Sequence, residues 1–186
     1  MKTQEINING FDLAAISGTV EAIQNNPAIA DFKWRANNTW ITGGRNRSYI
    51  KDFYGGCKED ESREKAFIYE NSEPPILLGA NESANPVEFL LHGLAGCLTT
   101  TMALHSAAKG ISIERISSTL EGDWDAHGFL GLDDQVRNGF KQIKVKFDIE
   151  GDLTEDQKDE LISLAWGYSP VYDMVSNGVP VMVARK

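Results

Sequence analysis

The chain has 186 residues, 41% of them hydrophobic and 24% charged, with a formal net charge of −9 at pH 7. That length supports one sizeable core and at most two small domains. The acidic balance argues against nucleic acid or an anionic membrane surface as the main partner. Two cysteines imply no disulfide framework. Residues 1–9 lack the apolar core of a signal peptide, so a cytoplasmic setting with reduced thiols is expected.

Residues 11–25 predict a short amphipathic helix, capped by Asp12, with Leu13, Ile16, Val20 and Ile23 at helical spacing. Residues 1–27 are therefore read as a helical extension ahead of a main domain over 28–186. Strands are expected across 28–53, where Phe32, Trp34 and Ala36 alternate with polar neighbours and Trp40 to Thr42 continue the β character. Gly43-Gly44-Arg45-Asn46 signals a turn, and 47–53 runs back as a second strand. Cys57 follows on a glycine loop, 58–64 is a charged, solvated segment, and 66–70 is a further strand.

The most informative stretch is 85–110, which predicts one long helix. Asn85 is a favourable N-cap, Pro86 sits at N1, and Glu88 at N3 can bond back to the cap. Lys109 and Gly110 make a charge-matched, glycine-terminated stop. Between Phe89 and Ala108 there is no Asp, Glu, Lys or Arg, so burial on every side is expected. His92, His105, Ser106 and three threonines inside the segment, and the lack of a second apolar segment, argue against a membrane span. Gly93, Ala95 and Gly96 predict a close-packed neighbour. Cys97 lies in the middle.

After the helix, 111–122 is expected to be a strand and 123–139 a polar connection. Ile143, Val145, Phe147 and Ile149 alternate with charged residues, the clearest half-buried strand in the chain. Thr154 and Gln157 form a capping box for a helix whose apolar face is Leu161, Leu164, Ala165 and Tyr168. Ser169-Pro170 breaks that helix, 171–177 adds a further helical turn ended by Gly178, and 179–183 is expected as a final strand, with Pro180 placing it at an edge. The order indicates an α+β fold, with antiparallel β-meanders packed on a long buried central helix.

Three residues carry the chemical question. Cys97 is either an inert core thiol or a nucleophile, and as a nucleophile it needs a cation brought in from elsewhere. Arg45, on its glycine turn, is the candidate cation. Glu88 is a capping residue or the group that orients that arginine. At about 100° per residue Glu88 falls nearly opposite Cys97 around the helix, and Val87 lies closer to the thiol's side. His92 and His105 do not match metal-ligand spacings, and no phosphate loop, nucleophile elbow or dinucleotide fingerprint occurs, so neither metal nor cofactor is expected.

The segment from Asn85 to Cys97, with Gly43-Gly44-Arg45 upstream and Ser169-Pro170-Val171 downstream, resembles the OsmC/Ohr family. The likeness runs from about residue 30 to the end, and the extra N-terminal helix and the 53–63 loop resemble its longer, less characterised branch. The resemblance implies an α+β homodimer of intertwined subunits with active sites at the interface. It implies thiol peroxidases that reduce organic hydroperoxides: one cysteine attacks the peroxide and becomes a sulfenic acid, a second resolves it to a disulfide, and a dithiol reductant reopens it. An arginine favours the thiolate and a glutamate positions that arginine. Carried over, Cys97 matches the peroxidatic cysteine and Arg45 the arginine. The resolving cysteine falls on Ser169, which forms no disulfide, and the family glutamate falls on Val87, one residue before Glu88.

Cys57 is then the candidate resolving thiol, with an external thiol reductant as the other route. The expected function is a thiol-dependent organic hydroperoxide reductase acting through Cys97, homodimeric, without cofactor, nucleic acid or membrane. The alternative is a non-catalytic dimer that is structural or holds a small apolar ligand, with Cys97 inert.

Overall fold

A computed structural model describes residues 7–185. Two short strands, β1 (Asn7–Ile8) and β2 (Phe11–Asp12), precede helix α1 (Leu13–Asn25). Strands β3 (Asn37–Thr42), β4 (Arg45–Ile50), β5 (Phe53–Gly55), β6 (Lys58–Asp60) and β7 (Phe67–Asn71) lead to the long helix α2 (Pro86–Ala108). Then come β8 (Arg115–Asp123), the short α3 (Ala126–Phe129), β9 (Gln142–Glu150), α4 (Glu155–Tyr168) and α5 (Pro170–Asn177). The chain forms two compact units, one of residues 7–13 with 90–185 and the other Ala14–Phe89.

In the first unit, β8 and β9 pair antiparallel along their full length, Arg115 opposite Glu150 and Asp123 opposite Gln142. The alternation on β9 is realised: Ile143, Val145 and Phe147 turn inward with the buried Ile149. They pack with Leu94, Leu98 and Met102 of α2 and Leu161 and Ala165 of α4. Met102, Leu161 and Ala165 are fully buried. The capping box at α4 forms as expected, Gln157 N–H donating to Thr154 Oγ1 (3.2 Å) and Thr154 N–H to Gln157 Oε1 (2.8 Å). At the end of α2, Gly110 takes a left-handed φ of 76°, which lets Gly110 and Ile111 N–H reach the carbonyls of Ala107 and Ser106 (both 2.9 Å). The β1–β2 turn is fastened to the same end of α2. Asn9 Nδ2 donates to Ser106 Oγ (2.9 Å) and Ile111 O (3.0 Å), and Asn9 Oδ1 accepts from Ile113 N–H (2.8 Å).

In the second unit, β3, β4 and β7 form an antiparallel sheet in the order β3-β4-β7, and β5–β6 form a separate hairpin. Phe32 and Trp34 stack (5.5 Å), Trp34 stacks on Phe53 (4.7 Å), and the Arg63 guanidinium lies over the rings of Phe53 and Phe67. Gly55 is required here, since a Cβ would meet the Phe32 ring at 2.4 Å.

Several expectations are corrected. The Phe32–Ala36 alternation is not a strand; one isolated bridge, Lys33 to Tyr54, is all that pairs there. Its aromatic rings, Phe32 and Trp34, share one stack with Phe53, and no ladder forms beside them. The first helix runs Leu13–Asn25 and not from residue 11, with Asp12 directly before its first residue, and none of its residues is buried. The strand expected over 111–122 begins at Arg115. Residues 179–183 form no strand: among the described residues no ladder partner lies beside them, and Val181 and Met182 are 78% and 97% exposed. Helix α2 is buried along one stripe, not all round. It is long and apolar enough to cross a bilayer, but Leu94, Leu98 and Met102 place it in a folded core. The opposite stripe is open, with no atom within 4 Å of a Cβ placed at Gly93 or Gly96.

Candidate functional site

Cys97 is half-buried on α2, where the buried stripe of Leu94, Leu98 and Thr101 meets the open stripe of Gly93, Gly96 and Thr100. A thiol at such a margin is held by the core on one side and reachable on the other. Its polar partner is Ser169, at the junction of α4 and α5 and only 2% exposed. Ser169 Oγ donates to Cys97 Sγ (3.1 Å) and accepts the Tyr172 N–H (3.1 Å) as the N-cap of α5. A hydroxyl has one proton; with the helix amide already donating to the oxygen, that proton is available to the sulfur. Such a bond is worth more to a thiolate, the nucleophilic form, than to a neutral thiol.

Local sequence places the hydroxyl at this junction. Pro170 at N1 ends α4 and begins α5, and the intervening serine is the residue that can cap it. The structure therefore brings together two of the sequence candidates, Cys97 and Ser169.

Arg45 opens β4 at the Gly43-Gly44 turn. Its Nε and Nη2 donate to Glu70 Oε2 (2.9 and 2.7 Å), and Nη1 faces Glu82 (3.3 Å). Arg47 holds the other oxygen of Glu70 through Nε (2.7 Å). Hydrogen bonds from Arg45 and Arg47 hold the Glu70 carboxyl below the usual carboxylate range. A concavity of about 250 Å³ lies beside this cluster, lined by Gly44, Arg45, Ser72, Leu78 and Glu82. Glu88 closes a reciprocal cap: Asn85 N–H donates to Glu88 Oε2 (2.8 Å) and Glu88 N–H to Asn85 Oδ1 (2.9 Å). Cys57 is exposed at the β5–β6 tip with a left-handed φ of 65°.

Glu70 is the functional candidate that the sequence reading missed. A signal existed: Arg45 and Arg47 are two apart on one strand and so share a sheet face, and the next strand of that sheet brings Glu70 into register with Arg47. Among the described residues no group of three or more His, Cys, Asp or Glu is placed to hold a metal ion.

The family model described as OsmC-like protein matches residues 79–184, more than half of the chain. The chain belongs to the OsmC-like family. The region matched includes α2 with Cys97 and the junction with Ser169. No curated protein matches the sequence. Among solved structures, an OsmC-like protein from Mycoplasma pneumoniae superposes with a TM-score of 0.59 at 18% identity, covering 77% of this chain and 87% of that one. An organic hydroperoxide resistance protein OsmC from Legionella pneumophila gives a TM-score of 0.53 at 18% identity over 78% and 90% of the two chains. An organic hydroperoxide resistance protein from Elizabethkingia anophelis gives 0.53 at 18% identity over 77% and 89%. At these identities the likeness establishes the OsmC-like fold.

Proposed function

We propose that this OsmC-like protein is a thiol-dependent reductase of organic hydroperoxides that acts through Cys97 and uses an external thiol in place of an internal second cysteine. The observation that carries the reading is the buried Ser169 hydroxyl donated to a half-buried Cys97 sulfur at 3.1 Å. The names of the Legionella and Elizabethkingia structures support it at the level of the family.

The chemistry balances as follows. The Cys97 thiolate attacks the outer oxygen of ROOH; the S–O bond forms, the O–O bond breaks, and the alkoxide leaves as ROH after taking a proton. The sulfur is oxidised to a sulfenic acid and the peroxide reduced to an alcohol. An external thiol, R′SH, then attacks the sulfenic sulfur, forming a mixed disulfide and releasing water. A second equivalent exchanges the disulfide and restores Cys97. Ser169 is the residue that holds the sulfur. Arg45 is the proposed cation that favours the thiolate, with Glu70 as the carboxylate that positions it. Cys57 is the proposed internal alternative to the external thiol.

The functional unit is proposed to be a cytoplasmic homodimer. The open Gly93 and Gly96 stripe of α2 supports this, as do the exposed apolar residues Trp40, Ile41, Phe67 and Ile68 of the β3-β4-β7 sheet. Both are surfaces that a second copy would cover.

The absence of a second cysteine at Ser169 favours one other reading, a ligand-binding dimer with an inert Cys97. Peptide mass spectrometry after one equivalent of an organic hydroperoxide, with a sulfenic-acid trap present, separates the two. Trapped oxidation at Cys97, and loss of peroxide consumption in Cys97→Ser, are expected. An unmodified Cys97 would establish the ligand-binding reading instead.

A further inference from the structure

A cleft of about 470 Å³ opens in the first unit, within the size range of small-molecule sites. Most of its wall is apolar, with Gln142 and Ser176 as neutral polar residues. Leu90 and Leu94 come from α2, Phe140 and Val145 from the approach to β9 and the strand itself, and Met174 and Val175 from α5. Two cations, Arg137 and Lys141, line it, and no Asp or Glu does. That is unexpected in a chain with 27 acidic and 18 basic residues. Lys141 is already engaged, its Nζ at 2.7 Å from Asp125. No carboxylate among the described residues forms an ion pair with Arg137, and its planar fork suits a carboxylate.

We infer that this cleft binds an amphiphilic monocarboxylate, its alkyl chain against Leu90, Leu94, Phe140 and Met174 and its carboxylate on Arg137. An apolar wall with a single unpaired guanidinium matches a ligand with one charged end and one long apolar part. A neutral alkane leaves the guanidinium unused, and a polyanion would exceed the available cations. The cleft also adjoins the thiol site. Leu90 and Leu94 lie two turns and one turn before Cys97 on the same side of α2. Tyr172, which lines the cleft, donates its amide to Ser169. The inference itself rests on the cleft, not on the chemistry of Cys97.

The test is isothermal titration of the full chain with octanoate, decanoate and decanol, each below its aggregation concentration. Decanoate is expected to bind, with Kd tightening about fourfold per added methylene and decanol at least tenfold weaker. Arg137→Gln should bring decanoate down to the level of decanol. Met174→Glu, at a 43% exposed site that tolerates a charge, should weaken decanoate more than decanol, because it repels the carboxylate as well as removing an apolar contact that both ligands use. Cys97→Ser should bind decanoate as the parent does, so loss of peroxide chemistry and loss of binding are separately visible. Equal binding of decanoate and decanol, or undiminished decanoate binding by Arg137→Gln, would overturn the inference. So would no binding by a chain shown to be dimeric, which would mean that a second copy fills the cleft.

Discussion

Two of the antiparallel sheets, β8–β9 and β3-β4-β7, handle burial in opposite ways. β8–β9 turns Ile116, Leu120, Ile143, Val145, Phe147 and Ile149 to one side, against α2 and α4. The β3-β4-β7 sheet has no buried residue: every residue of β3 is exposed, and Phe67, Ile68 and Tyr69 of β7 are exposed in a row. Strict alternation with charges marks a strand that has one wet face and one dry face within its own chain. Runs of large apolar residues without alternation, such as Trp40-Ile41 and Phe67-Ile68-Tyr69, mark a sheet whose cover is not supplied locally. The two polar clusters divide the same way. Cys97 and Ser169 meet at the edge of a core, whereas Arg45, Glu70 and Arg47 meet on a solvated sheet.

Core truncation gives the sharpest contrast. Leu161→Ala should cost about 2–5 kcal/mol, because Leu161 is fully buried between elements. Urea unfolding should show this loss at every protein concentration. Ser169→Ala removes the cap of α5, with an expected loss of about 1 kcal/mol, and should slow peroxide consumption more than that loss explains. Rates measured well below the unfolding midpoint check this. Ser169→Cys should convert the 3.1 Å contact into a Cys97 disulfide on oxidation, read as the loss of two hydrogens in the linked peptide mass. Ile68→Ala, at a 58% exposed position, should change stability by less than about 0.5 kcal/mol in dilute protein. Its cost should rise with concentration as the dimer forms. A flat concentration dependence would leave the sheet a free surface and remove its part in the proposed dimer.

The smallest effect concerns acid. The Glu70 carboxyl is held below its ordinary range by hydrogen bonds from Arg45 and Arg47. Its stabilising contribution is therefore complete above the unfolded value of about 4.3 and is lost as pH falls through the lower folded value. The gap in urea midpoint between the parent and Glu70→Gln should be present at neutral pH and close below about pH 4. A gap that persists in acid would show that Glu70 acts by packing, not by charge.

What was legible in the sequence was local. The reciprocal cap at Asn85 and Glu88, the Gly110 stop, the Thr154–Gln157 box, the Ser169-Pro170 break and the β9 alternation all depend on residues within a few positions of one another. Such features form wherever backbone donors need partners and strands have one dry face. The family resemblance, too, lay in short contiguous motifs: Asn85 to Cys97, Gly43-Gly44-Arg45 and Ser169-Pro170-Val171.

Only the tertiary structure decided the rest. Phe32 and Trp34 had the period of a strand, yet only one bridge, Lys33 to Tyr54, pairs that segment, and its rings stack with Phe53. The uncharged run of α2 pointed to burial all round, but one chain covers one stripe, because its single β8–β9 sheet and α4 can reach only one side. Residues 179–183 had β character without a neighbour to pair with. The partnership of Glu70 with two arginines, the hydroxyl on the Cys97 sulfur and the lone guanidinium in an apolar cleft join residues 23 to 72 positions apart or from three separate elements. Periodicity reports which face a residue occupies; only chain topology reports what stands opposite that face.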